Sequence, residues 1–123
     1  MPMDISRERF DELVGEALDS IPDELAGHME NVAVTVEEWP SPDQQRGHRG
    51  MLLGLYHGVD LTRRSPTSYS GVMPDRITIF RGPHQRICRT EDQLRHRIAV
   101  TVIHEVGHHF GIDDDRLREL GWA

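Results

Sequence analysis

The chain has 123 residues, of which 37% are hydrophobic and 28% charged, and a formal net charge of −7 at pH 7. This length predicts a single domain spanning residues 1–123, and the negative charge argues against general affinity for nucleic acid or anionic membranes. No apolar run approaches the ~20 residues of a membrane-spanning helix. Residues 1–8 lack the basic and apolar regions of a secretory signal, and the lone Cys88 suits a reducing compartment, so we expect a cytoplasmic protein.

The first two thirds of the chain predict one helix followed by three strands. Apolar residues at helical spacing predict a helix from Ser6 to Ser20, with Ser6 as N-cap and Pro22 as stop. Alternating or β-branched runs predict strands, and segments rich in proline, glycine and polar residues predict loops. In chain order these are a strand at 31–38, a loop at 41–50, a strand at 51–57, a loop at 60–74 and a strand at 76–80, ended by Gly82-Pro83.

The last third predicts a long helix and a short one. Thr90-Glu-Asp-Gln93 has the form of a capping box, and the helical apolar stripe that follows continues to Gly111, a natural C-terminal stop. A short helix from Arg116 to Leu120 follows an aspartate run. The order of elements predicts a small α+β domain, with a three-stranded sheet packed on the long helix.

The long helix carries the string H-E-x-x-H-x-x-G-x-x-D, in which His104, Glu105, His108, Gly111 and Asp114 are the specified residues. Histidines four residues apart lie on one helix face, so both imidazoles can reach one ion at ~2.0–2.1 Å. Glu105 lies roughly 100° further round the helix, where it can act on a water beside the ion instead of ligating it. A left-handed turn at Gly111 could return Asp114 as a third ligand, and three protein ligands are typical of catalytic zinc.

A helical wheel places His104 and His108 opposite the apolar stripe, as cleft-lining residues should be. The spacing favours Asp114 as the ligand, with Asp113 or Asp115 serving as a helix cap. His109 points toward the apolar side and is interpreted as a packed or supporting residue. The remaining histidines are interpreted as surface or loop residues: His28, His48, His57, His84 and His96.

The chain resembles the small bacterial zincin-like metallopeptidases, the minimal zincins. The resemblance is carried by the metal motif from Thr101 to Ile112, continued by Asp114, and by four further segments: 10–14, 17–22, 52–56 and 71–77. It implies a stripped-down zincin fold, one zinc ion held by His104, His108 and Asp114, and Glu105 as general base. The metzincin third ligand is histidine, and Asp114 stands in its place here.

These observations leave three functions open. The leading hypothesis is a zinc-dependent peptidase that cleaves flexible or unfolded polypeptide, held along a sheet edge at the strand from Arg76 to Phe80. The second is a metal-dependent endoribonuclease, which the −7 charge and Glu105 disfavour. The third is a metal-binding module without turnover, which the intact Glu105 disfavours.

Overall fold

The protein is described from a computed structural model, which covers residues 3–58, 75–119 and 122, and at Asp114 the backbone only. The loop expected at 60–74 lies outside these residues. The described elements, in chain order, are α1 (Arg7–Asp19), α2 (Asp23–Ala26), a 3₁₀ turn (Gly27–Met29), β1 (Val32–Glu37), α3 (Pro42–Gln45), β2 (Gly54–His57), β3 (Asp75–Phe80), α4 (Arg81–Ile87), α5 (Glu91–His109) and α6 (Asp114–Glu119). This mixture of helices and a three-stranded sheet confirms the predicted α+β class.

Both long helices begin where the sequence predicts. Ser6 accepts a hydrogen bond from the Arg9 N–H and caps α1, and Thr90 accepts one from the Gln93 N–H and caps α5. The capping box of α5 is altered, because the Gln93 side chain accepts from the Arg89 N–H at 2.8 Å instead of from Thr90. The two contacts satisfy the Gln93 N–H in the first turn and the Arg89 N–H just before the helix.

The predicted loop at 41–50 is wrong in part, because it contains the short helix α3. The strand ends before Gly82-Pro83 as predicted, but a short helix that the sequence did not predict follows it. Ser41 caps α3 through a capping box that Gln44 completes. At the end of β3 the chain enters α4 directly, with Pro83 in the first turn, where a missing backbone N–H costs nothing. Helix α2 was also missed, since four residues are too few to show a helical period.

The sheet has the order β1-β3-β2, with β1 parallel and β2 antiparallel to β3. The strand from Arg76 to Phe80 is therefore central, and the prediction that it supplies a free edge is wrong. Its last four residues are all buried, as a strand paired on both sides requires. Among the described strands the antiparallel edge is β2, which is shorter than the predicted 51–57.

Helix α5 lies in the middle of the molecule, between α1 and the sheet. Its buried side chains join those of α1 and β3 in one cluster, which includes Phe10, Leu13, Ile77, Ile79, Ile98, Val102 and Ile103. Arg9 of α1 forms ion pairs with Glu91 at 2.8 Å and with Glu12 at 2.9 Å across the outer surface. Because α5 packs against α1 on one side and the sheet on the other, it is a rigid support for the side chains on its remaining face.

No helix in the described part of the chain combines the length and apolar character that crossing a membrane needs. Trp39 is 50% exposed, although its ring lies against the backbone of Gly82. The Arg86 guanidinium lies 5.4 Å from the centre of the same ring.

Candidate metal centre

Helix α5 presents its histidines away from the core, as the helical wheel predicts. Val102, Ile103 and Val106 are fully buried, whereas His104 is half-buried and His108 exposed. Phe110 departs from the predicted stripe, because the helix ends at His109 and the Phe110 side chain is 41% exposed. The motif therefore lies on the one face of α5 that neither α1 nor the core occupies.

The ring centroids of His104 and His108 lie 5.9 Å apart, with the two rings nearly perpendicular. Two imidazoles that bind one tetrahedral ion at ~2.1 Å have centroids about 5 Å apart. A small rotation of either side chain covers this difference, so the pair fits a shared metal ion. Among the described side chains, no set of three potential ligands lies close enough to hold an ion. The side chain of Asp114, the predicted third ligand, is not among those described.

His104 has a partner that the sequence did not reveal. Its Nε2 lies 3.0 Å from the carbonyl oxygen of Trp122, and because a carbonyl can only accept, Nε2 carries the proton of this hydrogen bond. The Trp122 ring stacks on His96, two turns earlier on α5, with centroids 5.7 Å apart. A metal ion needs an unprotonated nitrogen, so binding through Nε2 must displace the Trp122 carbonyl.

Glu105 is held by the sheet. Its Oε1 accepts a hydrogen bond of 3.1 Å from the backbone N–H of Tyr56, the third residue of β2. The Leu53 carbonyl accepts from the Phe80 N–H of β3, so residues 54 and 56 direct their backbone groups to the opposite, outer edge of β2. The carboxylate of Glu105 therefore lies at the edge of β2 that no other described strand covers, and no described donor contacts its Oε2.

The turn after α5 brings the chain back as the motif predicts. Gly111 has φ of +76°, and the N–H groups of Gly111 and Ile112 donate to the carbonyls of His108 and Gly107 in a Schellman motif. Gly107 lets α6 approach closely, because a Cβ there would lie 3.3 Å from Leu117. The reversal places the backbone of Asp114 at the first position of α6.

The neighbouring aspartates have other roles. Asp113 accepts from the Arg116 N–H at 2.8 Å, which is the N-cap contact expected for it. Asp115 pairs with Arg118 at 2.7 Å, one turn along α6. Neither carboxylate is directed to the histidines by these contacts. The assignment of Asp114 as third ligand stays a prediction.

A polar cluster beyond Glu105 was missed by the sequence reasoning. The Tyr56 hydroxyl donates to Asp75 at 2.7 Å, and the Tyr56 ring stacks on His109 with centroids 3.9 Å apart. His109 is therefore an exposed residue supported by an aromatic face, and not a residue of the apolar side. Phe110 closes the cluster, with its ring edge toward Tyr56. This group fixes the end of β2 against the last turn of α5.

His84 is the clearest error among the scattered histidines, since it is fully buried and not a surface residue. Its Nδ1–H donates to the Phe80 carbonyl at 2.8 Å, and its Nε2 lies 3.0 Å from the Thr101 hydroxyl. Burial lowers the pKa of His84 from its ordinary 6.5 to about 4. The neutral ring therefore joins α4 to α5 one turn before His104. The signal that could have located it is Thr101, a polar residue among apolar ones.

An open cleft of about 390 Å³ runs beside His104 and Glu105 toward the start of α5. One wall is the segment before and at the start of β2, and the floor is α5. Its lining residues are Met51, Leu52, Leu53, Gly54, His96, Arg97, Val100, Thr101, His104 and Glu105. A Cβ on Gly54 would lie 2.6 Å from the Thr101 side chain, so the missing side chain lets β2 lie directly on the helix.

Cys88 is buried, and burial raises the pKa of its thiol. A protonated, enclosed thiol is a poor nucleophile and a poor ligand, so Cys88 is an inert residue of the core.

Comparisons with known proteins bear on the fold and the family of the chain. The solved structure of a conserved hypothetical protein from Thermus thermophilus is similar, with a TM-score of 0.53 and 23% sequence identity. The match covers 86% of this chain and 94% of that one, and at this identity it supports the fold alone. No protein of curated function matches at a significant level. The family model for zincin-like metallopeptidases matches residues 29–122, which include β1 to α6 and the whole H-E-x-x-H motif. The chain therefore belongs to the zincin-like metallopeptidase family.

Proposed function

We propose that this protein is a zinc-dependent peptidase that cleaves extended polypeptide at the edge of β2. The observation that carries the proposal is the contact between the Glu105 carboxylate and the Tyr56 N–H. It supports the proposal because the carboxylate then lies at an edge of β2 that no other described strand covers, beside two histidines whose ring centroids are 5.9 Å apart. An extended peptide can pair with such an edge through its main chain, as a further strand.

His104 and His108 would hold the ion, with Asp114 as the third ligand. When bound, zinc supplies Lewis-acid polarisation of a water and of the scissile carbonyl. Glu105 takes the proton of the attacking water at Oε2, while the Tyr56 N–H holds Oε1 and fixes the plane of the carboxylate. The same carboxylate then delivers the proton to the leaving amine. The outward backbone N–H and carbonyl of Gly54, which the Glu105 contact leaves unused, would position the substrate backbone.

The structure favours flexible substrates. Strand β2 has four residues, and the described wall of the cleft offers only a shallow hollow beside it. A compact protein cannot place a strand of its own in that hollow without unfolding locally. We therefore expect weak cleavage of unfolded polypeptide, and the lone Cys88 is consistent with a cytoplasmic site of action.

Metal content and cleavage should be measured together on protein purified without chelators or a histidine tag. We expect one zinc per chain in the wild type and in Glu105→Gln, none in His104→Ala or His108→Ala, and weakened binding in Asp114→Ala. His48→Ala removes an exposed histidine far along the chain and serves as the matched control. Full metal content in both metal-site histidine variants would refute the site.

The substrate class is tested with one protein in its native and its permanently unfolded form, with a short structured RNA alongside. Zinc-dependent cleavage of the unfolded form supports the proposal. Cleavage of the RNA alone would favour the endoribonuclease hypothesis instead. A zinc-loaded protein that cleaves nothing would be a metal-binding module.

A further inference from the structure

The cleft beside the metal centre has an apolar wall and a cationic end. Met51, Leu52 and Leu53 form the wall beside β2, and Val100 contributes from the floor. Toward the start of α5 the lining changes to His96 and Arg97. A second hollow adjoins this end and is lined by Arg89 as well as by His96 and Arg97. Glu105 is the only acidic residue among the described residues that line either hollow.

No described residue neutralises Arg97. The guanidinium forms neither an ion pair nor a hydrogen bond with any residue that the structure describes, and the residue is exposed. By contrast, Arg95 on the same helix pairs with Asp92 at 2.8 Å and with Glu16 at 3.3 Å. In a chain whose formal net charge is −7, an unpaired cation at the end of a cleft is available to an anionic ligand.

The position of Arg97 relative to the metal centre follows from helix geometry. Arg97 and His104 are seven residues apart, which is close to two turns, so both lie on nearly the same face, ~10.5 Å apart along the axis. An extended peptide advances ~3.3 Å per residue. A ligand group bound by Arg97 would therefore belong to the residue about three positions from the scissile bond.

The direction of the peptide can be inferred from the course of β2. Residues 54, 56 and 58, in and just after β2, contact residues 101, 105 and 109 of α5 in the same order. Strand β2 and helix α5 therefore run in the same direction. A peptide that pairs antiparallel with β2, as β3 already does on the other side, runs the opposite way. Its carboxyl-terminal part would then lie over Arg97.

We propose that the cleft selects peptides by a carboxylate about three residues to the carboxyl-terminal side of the scissile bond, bound by Arg97, with an apolar side chain between them on the Met51–Leu53 wall. This inference rests on the proposed peptidase function and names its substrate class. The carboxylate comes either from an aspartate or glutamate side chain or from the free end of the peptide. A guanidinium binds both in the same bidentate geometry.

The test separates binding from cleavage. Four labelled peptides share one sequence with an apolar residue after the scissile bond. Two are long, have an amidated end, and carry glutamate or glutamine at the third position beyond that bond. The other two are truncated at that position, with a free or an amidated end. Binding is measured by fluorescence anisotropy on zinc-loaded Glu105→Gln, and cleavage as kcat/KM on the zinc-loaded wild type.

We expect the carboxylate to tighten binding and raise kcat/KM by about tenfold, the size of one charge-assisted hydrogen-bonded pair. Arg97→Gln should abolish this preference, and Arg97→Glu should reverse it toward a peptide with lysine at the same position. Arg46→Gln makes the same change of charge at an exposed residue that pairs only with Asp43 among the described residues, and it should keep the preference.

If only the truncated pair shows a preference, for the free end over the amidated end, the carboxylate is that of the substrate terminus. If the long pair shows a preference for glutamate over glutamine, the carboxylate is that of a side chain. Charge-dependent binding without cleavage would support this inference while refuting the peptidase function. Cleavage with no preference, or a preference that survives Arg97→Gln, would overturn the inference and leave the function standing.

Discussion

The buried His84 makes the stability of this protein depend on pH in a calculable way. In the folded chain burial lowers the pKa of His84 to about 4, whereas the unfolded chain has the ordinary value of 6.5. Above pH 6.5 the ring is neutral in both states and pH has no effect through it. Between pH 6.5 and 4 only the unfolded state binds the proton, so stability falls with falling pH. A pKa difference of about 2.5 corresponds to about 3 kcal/mol, and below pH 4 the loss is complete.

The geometry explains why burial, and not the lack of a hydrogen-bond partner, lowers the pKa of His84. The Thr101 hydroxyl lies 3.0 Å from His84 Nε2 and 2.9 Å from the Arg97 carbonyl. With neutral His84 the hydroxyl proton is given to Nε2. On protonation of the ring the hydroxyl can turn to the carbonyl and accept from Nε2–H. Both states are hydrogen-bonded, so the cost of the cation is mainly its removal from water.

The assay is urea unfolding of the metal-free wild type and of His84→Gln at several pH values from about 7.5 to 4. The glutamine side chain loses hydrogen bonds and should lower stability by about 1–3 kcal/mol at neutral pH. Toward pH 4 the wild type should lose about 3 kcal/mol more than His84→Gln, since only the wild type carries the His84 penalty, so its advantage should vanish or reverse. The exposed His48→Gln controls for loss of a histidine elsewhere in the chain. The reasoning would be refuted if the free energies of unfolding of the wild type and of His84→Gln changed in parallel with pH.

Three further predictions concern the metal centre. Glu105→Gln should keep zinc and lose about 10²–10⁴-fold in kcat, and a variant that loses zinc instead would show Glu105 to be a ligand. Gly54→Ala should lower stability by about 1–3 kcal/mol and reduce cleavage, because the new Cβ would lie 2.6 Å from the Thr101 side chain. Gly15→Ala, where the Cβ meets nothing within 4 Å, is its control and should not destabilise. In a Trp39→Phe background, in which Trp122 is the remaining tryptophan, zinc titration should change the tryptophan fluorescence. The reason is that zinc bound to His104 Nε2 must displace the Trp122 carbonyl from that nitrogen. Zinc binding with unchanged fluorescence would contradict this displacement.

What the sequence predicts well is what one helix carries by itself. The spacing of His104, Glu105 and His108, the core stripe opposite them and the glycine turn at Gly111 all follow from 3.6 residues per turn. The N-caps of α1 and α5 are equally local, because a hydroxyl three residues before an N–H needs no tertiary partner. Short elements such as α2 and α3 escape because their few residues show no period.

What the sequence does not predict is which strand lies at the edge, and the proposed mode of substrate binding depends on this. The run from Arg76 to Phe80 and the run ending at His57 have similar patterns, yet pairing with β1 makes the first central and leaves the second at an edge of the described sheet. That choice is made between residues far apart in the chain, as in the pairing of Val34 with Ile77. Glu105 depends on the same choice, because its carboxylate is oriented by a backbone N–H that only an edge strand has to spare. The H-E-x-x-H motif is thus visible in one helix, whereas the position of its glutamate carboxylate depends on how distant strands pair.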